Sequence, residues 1–280
     1  MKITILIENN KDDARDLINE HGLSLYIEKD DTRILFDTGK SDNFIKNAEK
    51  LGINLKDVDL VVLSHGHTDH GGGLLAFLKI NSKAKIYMKR KVQEKYFTGF
   101  LLFKKNISIS RNIFEKHSNR IEYVDSFTEI VKDIFIITDI NKHYKIPDGN
   151  KYLFVKDGNR LVKDSFDHEL IMVIKENEAI CMFTGCSHNG TVNMIESVNS
   201  FFPHAHIRAL IGGFHLVKIP AIDAIGPSKE EIDLLVDKII SKNINEVYTG
   251  HCTGEKSYKK LKYFLGDKIQ YMKTGTQIQI

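Results

Sequence analysis

The sequence predicts a mixed α/β chain, and three observations predict it. Short β-branched apolar runs recur along the whole length, helix-forming stretches separate them, and 280 residues at 42% hydrophobic content suffice for one large core. Strands are expected at 3–7, 23–28, 33–36, 58–63, 84–88, 134–137, 170–175, 179–183, 207–211 and 245–249. Helices are expected at 41–50, 73–79, 190–200 and 228–241, the last opened by Pro227-Ser228 ahead of Glu230-Glu231. No repeat or low-complexity linker interrupts this order and there are only 4 prolines, so a single domain over 1–280 is expected.

The same order excludes several classes. No apolar run reaches the length of a membrane span, and Ile3 to Ile7, followed by Glu8 to Asp13, reads as a first strand rather than a secretory segment. Three cysteines, an odd number, argue against a disulfide framework and for a reducing cytoplasm.

The densest chemistry lies at Ser64-His65-Gly66-His67-Thr68-Asp69-His70-Gly71-Gly72-Gly73, directly after the buried-strand pattern Val58 to Leu63. His65, His67 and His70 offer imidazole nitrogen and Asp69 a hard oxygen, a mixture that suits zinc, iron or manganese rather than calcium. Alternating ligand positions call for a loop after the strand, with the glycines packing closely and a helix behind.

These residues match the HxHxDH signature, and the chain resembles the metallo-β-lactamase superfamily. Ile34 to Gly39 upstream, Met182 to His188 in the second half and Tyr248 to His251 near the end follow in the same order. The resemblance implies an αββα sandwich, two mixed sheets flanked by helices, with metals held in loops that follow strands. Gly185-Cys186-Ser187-His188, Gly212 to Leu216 and His251-Cys252-Thr253-Gly254 further resemble one subfamily, the 7,8-dihydropterin-6-methyl-4-(β-D-ribofuranosyl)aminobenzene-5'-phosphate synthase-like proteins.

That resemblance implies further site residues. His251 takes the place of the last superfamily ligand. Where many members have Thr-Gly-Asp, this chain has Thr184-Gly185-Cys186, so His188 is the favoured ligand there, with Cys186, or a weak or absent second metal, the alternatives. Asp37 is expected to hydrogen-bond a ligand imidazole and fix its tautomer. Asp69 and His215 are the candidate catalytic groups, the first orienting or deprotonating a nucleophile, the second contacting substrate or passing protons. Near His168 the resemblance favours Glu169, and His21, His117, His143, His204 and His206 have no motif context. One or two divalent ions are implied, zinc first, with iron, manganese and magnesium also accepted. A redox di-iron role is disfavoured, because oxygen-reducing relatives place a Glu where His67 stands.

The net charge of +3 hides an asymmetry: residues 79 to 120 hold twelve Lys or Arg against Glu94 and Glu115. Such a stretch attracts anions, and the surrounding segment 89–133 reads as a basic insertion after the metal loop. Lys89, Arg90, Lys104 and Lys105 are its candidate substrate-binding residues, and Tyr96, Phe97, Phe100 and Phe103 add apolar surfaces for a lid. A small phosphorylated substrate explains this mixture more economically than nucleic acid; a homo-oligomer is compatible with it, and no membrane partner is expected. Two reactions fit: condensation of a dihydropterin-methyl pyrophosphate with a ribofuranosyl-aminobenzene phosphate, or hydrolysis of a small phosphorylated, ester or lactone substrate by metal-bound hydroxide. A metal-binding sensor without turnover is the third class, disfavoured because the ligand motif is intact.

Overall fold

The structure, a computed structural model, describes residues 1–12, 14–100, 103–217 and 226–280. The chain forms two compact units, one of Met1–Val124, Leu153–His168 and Met272–Ile280, the other of Asp125–Tyr152 and Glu169–Tyr271.

The first unit is built on a seven-stranded sheet in the order Gln277–Gln279, Lys2–Ile7, Ser24–Lys29, Thr32–Phe36, Leu60–Val62, Lys85–Met88 and Ile121–Tyr123. Its first four strands pair antiparallel and the remainder parallel. The parallel part needs crossovers, supplied by the helices Asn43–Lys50 and Leu74–Ile80. Asn43–Lys50 buries Phe44, Asn47 and Ala48, the i, i+3, i+4 stripe of an amphipathic helix. Leu35, Phe44, Val61, Leu63, Leu74, Phe77 and Ile86 form the core around it. Complete burial of one such side chain contributes about 1.5–3 kcal/mol.

Register then positions the chemistry. Phe36 pairs with Val62 in the parallel ladder, so Asp37 and the Leu63-Ser64-His65 segment leave the sheet side by side at the carboxyl ends of their strands.

A second, four-stranded antiparallel sheet belongs to the same unit, in the order Arg160–Lys163, Leu153–Asp157, Tyr96–Phe100 and Phe103–Asn106. Much of the stretch expected as a basic insertion is therefore sheet, paired with strands from farther along the chain; residues 101 and 102 of that stretch lie outside the described residues. Phe100 and Phe103 are 62% and 86% exposed, whereas Tyr96 is buried.

The second unit carries a seven-stranded sheet in the order Ile269–Tyr271, Glu246–Thr249, His206–Gly212, Ala179–Phe183, Ile171–Glu176, Ile134–Ile137 and Thr128–Val131. Helices Thr191–Phe201, Lys229–Ser241 and Glu255–Leu265 contribute Ile195, Val198, Leu235, Ile239, Leu261 and Leu265 to a core with Ile180, Met182, Leu210 and Val247. The expected helix start at Ser228 is a full capping box: Glu231 N donates to Ser228 Oγ (3.2 Å) and Ser228 N to Glu231 Oε2 (2.8 Å).

Every strand and helix expected from the sequence is present among the described residues, with ends shifted by a residue or two. The elements not anticipated are the four strands of the smaller sheet, the edge strands Ile121–Tyr123, Thr128–Val131, Ile269–Tyr271 and Gln277–Gln279, and the helices Thr68–Gly71, Arg111–Lys116 and Glu255–Leu265.

Candidate metal centre

In the first unit, the buried strand Leu60–Val62 delivers Ser64, His65, His67 and His70 to positions 0–3% exposed. The expectation of a plain loop holds only as far as His67. From Thr68 to Gly71 the chain makes one helical turn, with His70 N and Gly71 N both donating to His67 O at 3.0 Å. The turn is pressed against backbone: a Cβ on Gly72 would lie 2.2 Å from Lys40 O, and one on Gly73 would lie 2.3 Å from Thr38 O. Only glycine fits at either position.

Asp37 organises the imidazoles. Its Oδ1 accepts from Ser64 N (2.8 Å), and its Oδ2 accepts from Ser64 Oγ (2.7 Å) and stands 2.7 Å from His70 Nδ1. A carboxylate only accepts, so His70 carries its proton on Nδ1 and its lone pair on Nε2. Ser64 spends its hydroxyl proton on Asp37, so the 2.9 Å contact with His65 Nδ1 requires that nitrogen to donate. His65 therefore also presents Nε2. One carboxylate thus fixes the tautomers of two candidate ligands, which is what a bound divalent ion requires of them.

Protonation agrees. Burial, then the neighbouring His70 and His67, holds His65 well below the ordinary imidazole value; burial, then His168, brings His67 down to about 3. Both are neutral near pH 7, the ligating form. The donor set, its tautomers and its protonation all fit a divalent ion.

His168 has both nitrogens engaged. Its Nδ1 accepts from Gly66 N (2.9 Å) and its Nε2 lies 3.0 Å from Asp164 Oδ2, so it buttresses the loop. Asp164 also stands 3.9 Å from His67 Nε2. Burial raises the Asp164 carboxyl, but the His168 hydrogen bond and the nearby imidazoles outweigh it and the net direction is down. Tyr96 packs its ring 4.1 Å from His168 and 5.6 Å from His67, so it is a wall of this site rather than a lid surface. His21 Nε2 lies 3.3 Å from Asp69 Oδ2. Neither Asp164 nor His21 has a sequence signal, because both come from distant loops.

The candidate substrate groups have separate partners. Arg90 lies over the Tyr123 ring (4.3 Å) and Lys104 over the Phe154 ring (4.0 Å); Lys89 is half-buried and Lys105 exposed.

In the second unit, the strand Ala179–Phe183 runs into Thr184 to His188, and Thr191–Phe201 follows. His188 Nδ1 stands 2.9 Å from Asn150 Oδ1, and Asn150 Nδ2 donates to His188 O (2.7 Å). The amide oxygen accepts, so the lone pair of His188 is on Nε2. Glu169 is completely buried and accepts from His188 N (2.8 Å), Asn189 N (2.8 Å) and Asn189 Nδ2 (2.9 Å). It acts as a positioning residue for this turn.

His215 follows the strand His206–Gly212, and its ring is 4.2 Å from that of His188; His251 follows Glu246–Thr249 and is 2% exposed. Cys252 receives His215 N–H on its sulfur (3.3 Å) and directs its thiol at Cys186 O (3.5 Å). Burial raises the Cys252 thiol, but Cys186, His251 and His215 carry it well below its ordinary value. Cys181, inside the strand, is pushed up to about 12 by burial.

Four of the nine non-glycine residues with positive φ among the described residues lie in these segments. Asp37, Ser187, His215 and His251 have φ of 57°, 60°, 46° and 51°, a region that costs non-glycine residues about 1–3 kcal/mol and concentrates at functional sites.

This fold, with its His-rich turn held by a buried carboxylate, defines a class of candidate metal-binding proteins, and the comparisons give its family. Residues 18–135 match the family model of the metallo-beta-lactamase superfamily. The crystal structure of a metal-dependent hydrolase of the beta-lactamase superfamily is 30% identical with a TM-score of 0.84, covering 100% of this chain and 99% of that one. The chain belongs to the metallo-β-lactamase superfamily. The 7,8-dihydropterin-6-methyl-4-(beta-D-ribofuranosyl)-aminobenzene-5'-phosphate synthase of Methanocaldococcus jannaschii is 29% identical over 251 residues, 85% of this chain and 83% of that one. An uncharacterized protein of the same organism is 30% identical over 272 residues, 92% of this chain and 93% of that one.

Proposed function

We propose that this protein is a metal-dependent enzyme that joins a dihydropterin-methyl pyrophosphate to a ribofuranosyl-aminobenzene phosphate. The observation that carries the metalloenzyme reading is the Asp37 network, which sets both His65 and His70 as Nε2 donors. The proposed ligands are His65, His67, Asp69, His70, His188 and His251, with Cys186 the alternative to His188. Zinc is the proposed ion, and iron, manganese and magnesium suit the same donors. A bound divalent ion supplies Lewis acidity toward a phosphate or carbonyl oxygen.

The residues supply the rest. In the condensation the arylamine nitrogen forms a bond to the pterin methylene carbon, pyrophosphate leaves with the electron pair of the broken C–O bond, and the amine loses a proton. Asp69, with His21 beside it, is the proposed acceptor of that proton, and His215 the group that exchanges protons with solvent. Lys89, Arg90, Lys104 and Lys105 are proposed to attract phosphate. No described helix is long and apolar enough to cross a membrane, and a cytoplasmic location is part of the same reading.

The likeness to a metal-dependent hydrolase favours a second reading, in which water replaces the amine on a small phosphorylated, ester or lactone substrate. One experiment separates the two. Zinc-loaded protein is incubated with the pterin pyrophosphate, with and without the aryl ribofuranosyl phosphate, and the products are weighed by mass spectrometry. A condensed product that needs both substrates and disappears in His67→Ala supports the synthase; phosphate ester hydrolysis alone supports the hydrolase.

A further inference from the structure

A cavity in the second unit deepens the synthase reading. We infer that this cavity binds the pterin ring, a planar 2-amino-4-oxopyrimidine fused to a second ring; the choice of a pterin rests on that reading.

The cavity holds about 350 Å³, within the range of roughly 300–1,000 Å³ usual for small-molecule pockets. Pro147, Val192, Phe214, Leu216, Leu234 and Leu235 give it apolar walls, which suit the faces of a flat ring. Its polar groups come from two helix starts. Gly190 and Thr191 open the helix Thr191–Phe201, and Ser228, Glu230 and Glu231 open Lys229–Ser241.

The two starts differ. Lys229–Ser241 satisfies itself through the capping box of Ser228 and Glu231. Thr191–Phe201 has no side-chain cap and no acidic residue in its first turn, so an outside acceptor suits the N–H groups that a helix start leaves without intrahelical partners. A second observation points to a ligand. Thr191 lines the cavity and is 5% exposed, and its Oγ1 is buried with no hydrogen-bond partner among the described residues. Leaving a buried hydroxyl unpaired is costly, and a ligand oxygen beside it removes that cost.

The rim charges select the ligand. Lys145 pairs with Asp148 at 2.6 Å, and Glu230 and Glu231 add two carboxylates, so the cavity disfavours phosphate. A carboxylate only accepts hydrogen bonds. Glu231 takes Ser228 N on Oε2 (2.8 Å), which leaves Oε1 for another donor. The 2-amino and N3–H groups of a pterin form a donor edge that matches a carboxylate. The adjacent 4-oxo group is an acceptor that matches the Thr191 hydroxyl and the uncapped helix start. The carbon that bears the reactive methylene lies at the opposite end of the ring from the donor edge, so a ring anchored at Glu231 leaves that methylene free.

Binding of 6-hydroxymethylpterin to zinc-loaded protein, read from the anisotropy of its own fluorescence, tests the assignment. Wild type is expected to bind it about tenfold more tightly than 6-hydroxymethyllumazine, which has an oxo group in place of the 2-amino group. E231Q keeps the capping box, which glutamine also completes, and is expected to weaken the pterin about tenfold and the lumazine less than about twofold. Thr191→Val is expected to weaken both about fivefold, because both retain the 4-oxo group. Leu234→Trp, at a 37% exposed position on the cavity wall, should fill the space and abolish binding. His67→Ala should bind as wild type does, because the cavity belongs to the second unit. Circular dichroism checks the fold of each variant, and the wild-type preference for pterin over lumazine decides if a variant does not fold. Equal affinity of wild type for the two rings, no binding at all, wild-type affinity in E231Q or Thr191→Val, loss of binding in His67→Ala, or tighter binding of guanosine, which carries the same edge, overturns the assignment. Binding is read without turnover. Pterin binding without condensation removes the synthase reading and leaves the cavity assignment, whereas condensation with unchanged kcat/KM in E231Q removes the cavity assignment alone.

Discussion

The two regions that carry candidate ligands orient their imidazoles by different routes. In the first unit, His65 and His70 take their tautomers from one carboxylate, Asp37, which the parallel register of Thr32–Phe36 with Leu60–Val62 places beside them. In the second, His188 takes its tautomer from the neutral amide of Asn150, its loop is held by Glu169, and His215 and His251 arrive on separate strands. A single charged organiser serves two imidazoles in one unit; a distributed set of neutral and charged groups serves one imidazole in the other. The first arrangement concentrates the consequences of one substitution, and the second spreads them.

Substitutions sharpen this contrast. Asp37→Asn removes an acceptor that serves two imidazoles, so zinc affinity is expected to fall about 100-fold, the upper end for groups that orient metal ligands. Asn150→Ala affects one imidazole and is expected to cost about tenfold. Competition with a chromophoric chelator measures both, and equal losses would break the comparison. In Glu169→Gln the amide nitrogen faces backbone N–H donors, so a buried donor loses its acceptor. About 1–3 kcal/mol of stability is expected to go, read as a lower urea midpoint with an unchanged slope.

Acidification affects the first unit in a stated direction. The folded His67 titrates at about 3 because it is buried near His168, whereas an unfolded histidine titrates near 6.5. Between those values the unfolded chain binds a proton that the folded chain refuses, so metal-free protein loses stability as pH falls from about 6.5 toward 3. His67→Asn should show a shallower pH slope in urea unfolding, by at most about 1.4 kcal/mol per pH unit, and parallel slopes would refute the assignment. The smallest effect is expected at exposed Lys105. Lys105→Ala should change stability by less than about 0.5 kcal/mol while raising KM for a phosphorylated substrate, and an unchanged KM would remove Lys105 from the substrate-binding set.

Legibility followed the length scale of each interaction. The strand ending at Val62, the His-rich turn and the capping box at Ser228 depend on neighbours within a few residues, and their spacing was readable. The strands Tyr96–Phe100, Phe103–Asn106, Leu153–Asp157 and Arg160–Lys163 were not, because their lysine-rich, part-exposed residues become strands only by pairing with one another. The helix Glu255–Leu265 was hidden similarly, since only Ser257, Leu261 and Leu265 are buried among its lysines.

The sequence by itself determined the superfamily, the α/β order of elements and the donor-rich turn at His65 to His70, since a contiguous motif carries its own geometry. Asp37, expected to hold a ligand imidazole, stands 2.7 Å from His70 Nδ1. Only the tertiary structure decided that Asp37 reaches a second imidazole through Ser64, that Asp164, His168 and Tyr96 wall the same turn, and that Asn150 sets His188. It alone brought Cys252 to Cys186 and His215. These groups are separated by tens of residues, and the backbone register and positive-φ turns that join them are properties of the packed chain, which local spacing does not encode.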